Sequence, residues 1–223
     1  NVFRIHLGQA YNRWYDLADQ YGMLIQNEWQ FWRASGTKEQ ITREFTEWLQ
    51  DNWNHPSIIV WDALNECNEP VVENEVVPQM KQLDPTRPWE PNDIRDHHPY
   101  IYSLGSVLNE RRLGFADSVF GIERQETPTV VNEFLWWWIT DEGEPTGLMK
   151  GVVERWLGAN WTKEVLLEHQ AWLAQELIEL FRRIGADAIQ PFIYLVNGKG
   201  ATAHWFLGDI AALNPKPATR QYR

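Results

Sequence analysis

The stretch VFRIHLGQAYNRWYDLADQYGMLIQ, residues 2–26, decides the fold. Val2-Phe3-Arg4-Ile5-His6-Leu7 alternates apolar and polar side chains, which is the period-two signature of a strand. Tyr15 to Tyr21 reads as a helix stopped by Gly22, and Met23-Leu24-Ile25-Gln26 opens a second strand. Strand, helix and strand in about 25 residues make one crossover unit, and a crossover brings its two strands together in parallel.

The same rhythm continues outward. Thr37-Lys38-Glu39-Gln40 has capping-box spacing, and Ile41, Phe45, Trp48 and Leu49 follow at helical intervals. That helix must end before His55-Pro56, because proline disfavours helical geometry in the residue preceding it. Ser57-Ile58-Ile59-Val60-Trp61 then reads as a strand buried on both faces. Further strands are expected at Arg87-Pro88-Trp89, around Pro99 to Tyr102, at Thr129-Val130-Val131 and over Ala188 to Leu195. A long helix is expected between Thr162 and Gly185, with Val165, His169, Trp172, Leu173, Leu177, Leu180 and Ile184 along its apolar stripe. No repeat, low-complexity tract or Gly/Ser linker divides the chain, so residues 1–223 read as a single domain.

Alternating strands and helices with buried parallel-type strands specify an α/β fold. No Gly-rich phosphate turn follows the first strand, and the polar residues of interest sit just past strand ends, which favours a barrel over a doubly wound sheet. Seven strands are counted, so the expected architecture is a (β/α)8 TIM barrel lacking its first β/α unit at the N-terminus. The abrupt opening at Asn1, without a charged-then-apolar leader, agrees with that expectation.

Composition narrows the partners. The 223 residues carry a net charge of -11, and the basic side chains are scattered, so nucleic acid is excluded as a partner. No apolar run of about 18 residues exists, so no membrane partner is expected either. The single cysteine, Cys67, has no internal disulfide partner, and the neighbouring acids would raise its pKa and blunt it as a nucleophile. No Gly-x-Ser-x-Gly elbow is present, and the six histidines lack metal-ligand spacing, so neither serine chemistry nor a metal is expected. The 14 tryptophans are core fillers first; a cluster beside acidic groups could also stack against a sugar ring.

Asn-Glu occurs six times, at 27–28, 65–66, 68–69, 74–75, 109–110 and 132–133. Only Asn65-Glu66 and Asn132-Glu133 end, or nearly end, an apolar strand, so both glutamates would face the mouth of a barrel. Glycosidic bond cleavage needs one carboxylic acid to protonate the leaving oxygen and one carboxylate to attack or assist at the anomeric carbon. Two inward glutamates on nearby strands meet that need; two acids in surface loops remain the alternative.

The run Asn54-His55-Pro56-Ser57-Ile58-Ile59-Val60-Trp61-Asp62-Ala63-Leu64-Asn65-Glu66 resembles the acid/base strand of glycoside hydrolase family 2, which includes β-galactosidases, β-glucuronidases and β-mannosidases. The resemblance extends to Asn1 to Leu7, to Tyr15 to Ile25 with Glu28 beyond, to Asp84-Pro85-Thr86-Arg87-Pro88-Trp89, and to Pro128 to Phe134. It implies a TIM barrel, a retaining mechanism and no cofactor. It also implies Glu66 as acid/base, Glu133 as nucleophile and Asn65 as the partner of the sugar 2-hydroxyl. The family carries β-sandwich domains before its barrel, and these accessory domains are missing from this chain. Phe134-Leu135-Trp136-Trp137-Trp138 after Glu133 departs from the small residues of relatives, and Gln190-Pro191-Phe192 stands where a Trp is common.

Arg4 and His6 share the face of the first strand opposite Phe3 and Ile5, and a buried Arg4 would need a carboxylate partner. Glu28 and Trp29 are expected at the pocket edge. His98 and Tyr100 lie on a strand end that resembles the family's hydrogen-bonding position, with a solvated loop as the alternative. Trp136 and Trp138 are candidates for a sugar platform, with Trp137 packed outward or into a loop, and Gln190 completes the substrate-binding set. The resulting expectation is an exo-acting retaining β-glycosidase with Glu66 and Glu133 as its catalytic pair and a carbohydrate as its partner. A non-catalytic carbohydrate-binding barrel and an endo-acting β-glycanase are the alternatives.

Overall fold

The computed structural model describes residues 1–99, 126–135, 137–196 and 203–222. It divides into two compact units, residues 1–96 with 126–128 and residues 97–125 with 129–223.

The first unit is built as its opening residues dictate. Strand β1 (Val2–Ile5) leads through helix α1 (Asn12–Tyr21) to β2 (Leu24–Glu28), and the two strands pair in parallel with Arg4 opposite Gln26. Gly22 ends α1 at a φ of 70°, a left-handed conformation open to glycine because it has no Cβ. Helix α2 (Lys38–Asn52) starts on the reciprocal capping box of Thr37 and Gln40 and stops before His55-Pro56, and β3 (Ile58–Asp62) follows. A π-helical turn (Val72–Val76), helix α3 (Val77–Leu83) and β4 (Trp89–Glu90) complete a parallel sheet of order β1-β2-β3-β4. Phe45, Trp48 and Leu49 of α2 pack with Trp29, Trp61 and Trp89 from the strands and their ends. Trp48 meets Trp61 at 5.0 Å and Trp29 at 5.3 Å between ring centroids, so these indoles are core.

Strand β5 (Arg95–His97), on which the division falls, β6 (Thr129–Phe134) and β7 (Ala188–Pro191) form a three-stranded sheet in that order, with β6 and β7 parallel. Helix α4 (Lys150–Leu157) and the 22-residue α5 (Lys163–Ile184) belong to the second unit, where Thr162 caps α5 and Gly185 ends it at a φ of 91°.

Seven strands are found among the described residues, but several boundaries differ from the sequence reading, three of them near the candidate site. Strand β5 lies at Arg95–His97, ahead of the expected Pro99 to Tyr102, most of which falls outside the described residues. Strand β6 runs on to Phe134, so Glu133 is inside the strand. Strand β7 stops at Pro191, whose ring has no N–H to extend a ladder. The buried face of α5 is broader than the expected stripe: Leu173, Leu177 and Leu180 of that stripe are buried, Leu166 and Phe181 join them, and Val165 is exposed.

Candidate active site

In the first unit the carboxyl ends of β1 to β4 hold a buried polar layer. Glu28 is in register with Asp62, and Asp62 with Glu90, so three carboxylates line up across β2, β3 and β4. All three are buried, and Arg4 on β1 enters the same layer with 4% of its side chain exposed. Its guanidinium ion-pairs with Glu28 and lies 3.3 Å from Asp62 Oδ2 through Nε. Arg4 Nη2 also donates to Asn65 Oδ1 at 2.8 Å. Gln26 Nε2 donates to Asp62 Oδ2 at 2.8 Å and to Glu90 Oε2 at 2.9 Å, and so bridges two carboxylates with one amide.

Burial, reinforced by the charge of Glu28, pushes Asp62 well above the usual carboxylate range against the pull of Arg4. Burial and the charges of Asp62 and Asp96 push Glu90 up in the same way. The cation that the sequence reading required to have a carboxylate partner therefore has Glu28 and Asp62 beside it. Glu28 itself is fully buried and not at a pocket edge. It accepts from the backbone N–H of Leu7 at 2.5 Å, and His6 Nδ1 lies 3.4 Å from its Oε1.

Asn65 and Glu66 follow β3. Asn65 is buried, and Glu66 is exposed with a φ of 48°. A side chain bearing a Cβ is strained at that φ, and such strain concentrates at functional sites. Asn68-Glu69 is set apart from the layer: Glu69 Oε1 accepts from the N–H of Ala34 at 3.2 Å, and Glu69 N donates to Glu73 Oε1 at 2.9 Å. Burial, with Glu69 and Glu73 nearby, raises the Cys67 thiol, as its acidic context had indicated.

In the second unit Asn132 and Glu133 are buried near the carboxyl end of β6. His98 Nδ1 lies 3.7 Å from Glu133 Oε2, and Gln190 Nε2 on β7 donates to Asn132 Oδ1 at 3.1 Å. Leu135, two residues past Glu133, has a φ of 66°, a second strained residue at a strand end. Trp138 is 4% exposed and spends its indole N–H on the carbonyl of Phe192 at 3.3 Å, which leaves little ring face for a sugar. Trp137 is core: it meets the His169 ring of α5 at 4.5 Å and is packed inward, contrary to the sequence reading. Tyr100 and Trp136 lie outside the described residues.

The structure thus joins Arg4, His6, Glu28 and Asn65 in one unit, and His98 and Glu133, with Asn132 and Gln190, in the other. The sequence reading missed Gln26, Asp62 and Glu90. A signal for Gln26 existed, since it lies two residues from Glu28 on β2 and so shares its face.

Comparison with known proteins places this geometry. Residues 6–106 match the sequence model of glycosyl hydrolases family 2, TIM barrel domain. A β-galactosidase of Alteromonas mediterranea is 30% identical over 87 residues, covering 34% of this chain and 8% of that protein. This chain therefore spans about a tenth or less of the length of the curated relatives it matches. A β-glucuronidase structure from an uncultured Clostridium superposes with a TM-score of 0.66 at 16% identity, over 100% of this chain and 44% of that one. The β-D-glucuronidase of Dictyoglomus thermophilum gives 0.65 at 18% identity, over 99% and 43%. These two likenesses show a shared fold, the parallel α/β barrel, of which the present strands form a part. Residues 6–106 are thus similar in sequence to the family 2 TIM barrel domain, and the chain shares the parallel α/β barrel fold of the two glucuronidase structures.

Proposed function

We propose that residues 1–223 act as one catalytic barrel domain of a retaining exo-β-glycosidase, with Glu133 as nucleophile and Glu66 as acid/base. The observation that carries the reading is local to each unit. Each chosen Asn-Glu pair lies at the carboxyl end of a parallel strand, the end at which barrel enzymes do their chemistry. A left-handed, non-glycine residue stands at each place, Glu66 itself and Leu135. The relatives named β-galactosidase and β-glucuronidase support a terminal hexose or hexuronic acid as the substrate class.

In the reaction, a Glu133 carboxylate oxygen bonds to the anomeric carbon while the glycosidic C–O bond breaks and the departing oxygen takes the proton of Glu66. Glu66, now a carboxylate, removes a proton from water. The water oxygen bonds to the anomeric carbon, the Glu133 ester bond breaks, and two inversions leave the configuration retained.

The test uses the full chain and aryl β-galactosides and β-glucuronides. Glu66→Ala is expected to lower kcat/KM by about 10²–10⁴-fold, and Glu133→Ala to lower it at least as much. Azide should rescue Glu133→Ala as the α-glycosyl azide and Glu66→Ala as the β-glycosyl azide. Undiminished hydrolysis by either variant, or azides of the opposite configurations, would remove the assignment. Sugar binding by a folded wild-type chain that releases no aryl alcohol would favour a non-catalytic barrel instead.

A further inference from the structure

His169 of α5 sits where three stretches of the second unit meet. Its imidazole lies 4.5 Å from the ring of Trp137 on the segment after β6, 5.5 Å from Trp172 on α5 itself and 6.4 Å from Trp156 on α4, between ring centroids. The next residue, Gln170, donates from Nε2 to the Trp137 carbonyl at 2.5 Å, so α5 grips Trp137 at two points. His169 is half-buried, and its Nε2 is buried without a hydrogen-bond partner. The indole N–H of Trp137 is in the same condition, so the two side chains meet by ring face and edge and not by a hydrogen bond.

A neutral imidazole carries a proton on one nitrogen only, so its buried Nε2 can stay bare. An imidazolium carries a proton on both, and the one on Nε2 would be a buried donor with no acceptor. Indole faces attract a cation. Burial opposes it more strongly: it holds His169 below the ordinary value of 6.5 and is the one cause of that shift. The groups that face the ring from α4, from α5 and from the segment after β6 are the three indoles, none of which titrates. Protonation and packing therefore compete at this position.

We propose that His169 is a proton-operated wedge, which joins α4, α5 and the segment after β6 while it is neutral and loosens α4 and Trp137 from α5 when an added proton draws its Nε2 out to water. The inference does not depend on the glycosidase reading. It bears on that reading only by position, because Trp137 lies four residues past Glu133 on the same run of chain. A folded value below 6.5 means that the packed form binds a proton less readily than the opened one. The packing is therefore at full strength above 6.5 and weakens as pH falls below it.

The experiment is native-state hydrogen exchange of the full chain between about pH 7.5 and about pH 5. In the wild type, the protection of the α4 amides and of the Trp137 indole N–H, corrected for the intrinsic exchange rate, should fall severalfold toward the acid end. In His169→Phe, which keeps an aromatic ring and takes up no proton, it should stay level. The NMR titration of the His169 ring carbon and proton reads the uptake directly, and a midpoint below 6.5 is expected. The same pH dependence in wild type and variant, or a midpoint at or above 6.5, would overturn the proposal. If His169→Phe does not fold, His169→Gln supplies the comparison with another side chain that does not titrate, and the wild-type midpoint is decisive without any variant. Neither readout involves turnover, so the wedge and the glycosidase reading stand or fall separately.

Discussion

Asp84 shows how much a single side chain can hold. Its Oδ2 accepts from the indole N–H of buried Trp61 at 2.9 Å and from Arg87 Nη1 at 2.7 Å, and its Oδ1 accepts from the N–H and the hydroxyl of Thr86. Arg87 in turn donates to the carbonyls of Ile58, Trp53 and His55, so one carboxylate ties the end of α3 to the start of β3. Burial opposes ionisation here, but the bonds from Thr86, Trp61 and Arg87 outweigh it and hold Asp84 at about 2. Asp84→Ala leaves Trp61 with a buried donor and no acceptor and should cost about 2–3 kcal/mol in a urea titration at neutral pH. A folded value below the unfolded 3.8 means that the ionic share of this stability is present above 3.8 and lost as pH falls through about 2. The gap between wild type and Asp84→Ala should therefore narrow in acid. A gap unchanged with pH would show that Asp84 contributes only neutral hydrogen bonds. The sequence made Arg4, Asn65 and Glu133 legible because strand alternation and strand ends mark them. It left Asp62 and Glu90 unread, since a lone acid at the end of an apolar run looks the same whether it turns inward or out to water.

Elements were legible where two independent signals met. Helix α2 has a capping box at one end and a proline beyond the other, and it was read nearly to the residue. Helix α5 has its Thr162 cap and its αL Gly185, and its ends match the sequence reading while its buried face is broader than the stripe expected. The reason lies in packing. A stripe drawn from Val165 assumes a narrow contact, whereas α5 buries Leu166 and Leu167, then Leu173 and Ala174, then Leu177 and Ile178, and then Leu180 and Phe181. Pairs of adjacent buried residues mean that the helix is enclosed on a broad face, and breadth is set by what surrounds it, which period counting does not see. Two substitutions separate the readings. Leu166→Ala should lower stability by about 2–5 kcal/mol through the cavity it leaves. Val165→Ser, on the exposed side, should stay within about 0.5 kcal/mol of the wild type. Thermal unfolding of both variants decides the matter; a larger loss for Val165→Ser would restore the narrower stripe.

The net charge of -11 belongs to the whole chain, but part of the acidity is carried inside. Glu28, Asp62 and Glu90 are all buried in the layer around Arg4, and both Asp62 and Glu90 are held well above their ordinary carboxylate values. For an acid the direction of that shift fixes the sign of its effect on stability. The folded chain keeps protons that the unfolded chain has already released above its values of 3.8 for Asp62 and 4.5 for Glu90. Their contribution is therefore complete below those unfolded values and is lost as pH rises toward the folded ones. Asp84 works in the opposite direction in stronger acid, so its contribution falls with decreasing pH while those of Asp62 and Glu90 fall with increasing pH. Asn in place of Asp62 and Gln in place of Glu90 keep the shapes and the acceptors for Gln26 while removing the charges that must otherwise be neutralised in the interior. The double variant Asp62→Asn, Glu90→Gln should be more stable than the wild type at neutral and alkaline pH, by about 1–4 kcal/mol. That advantage should shrink as the buffer is taken down to about pH 3, below both unfolded values, where the native acids are largely protonated in both states. Urea midpoints measured for both proteins between about pH 3 and pH 9 test this directly: converging curves in acid are expected, while parallel curves would mean that the buried carboxylates are ionised throughout.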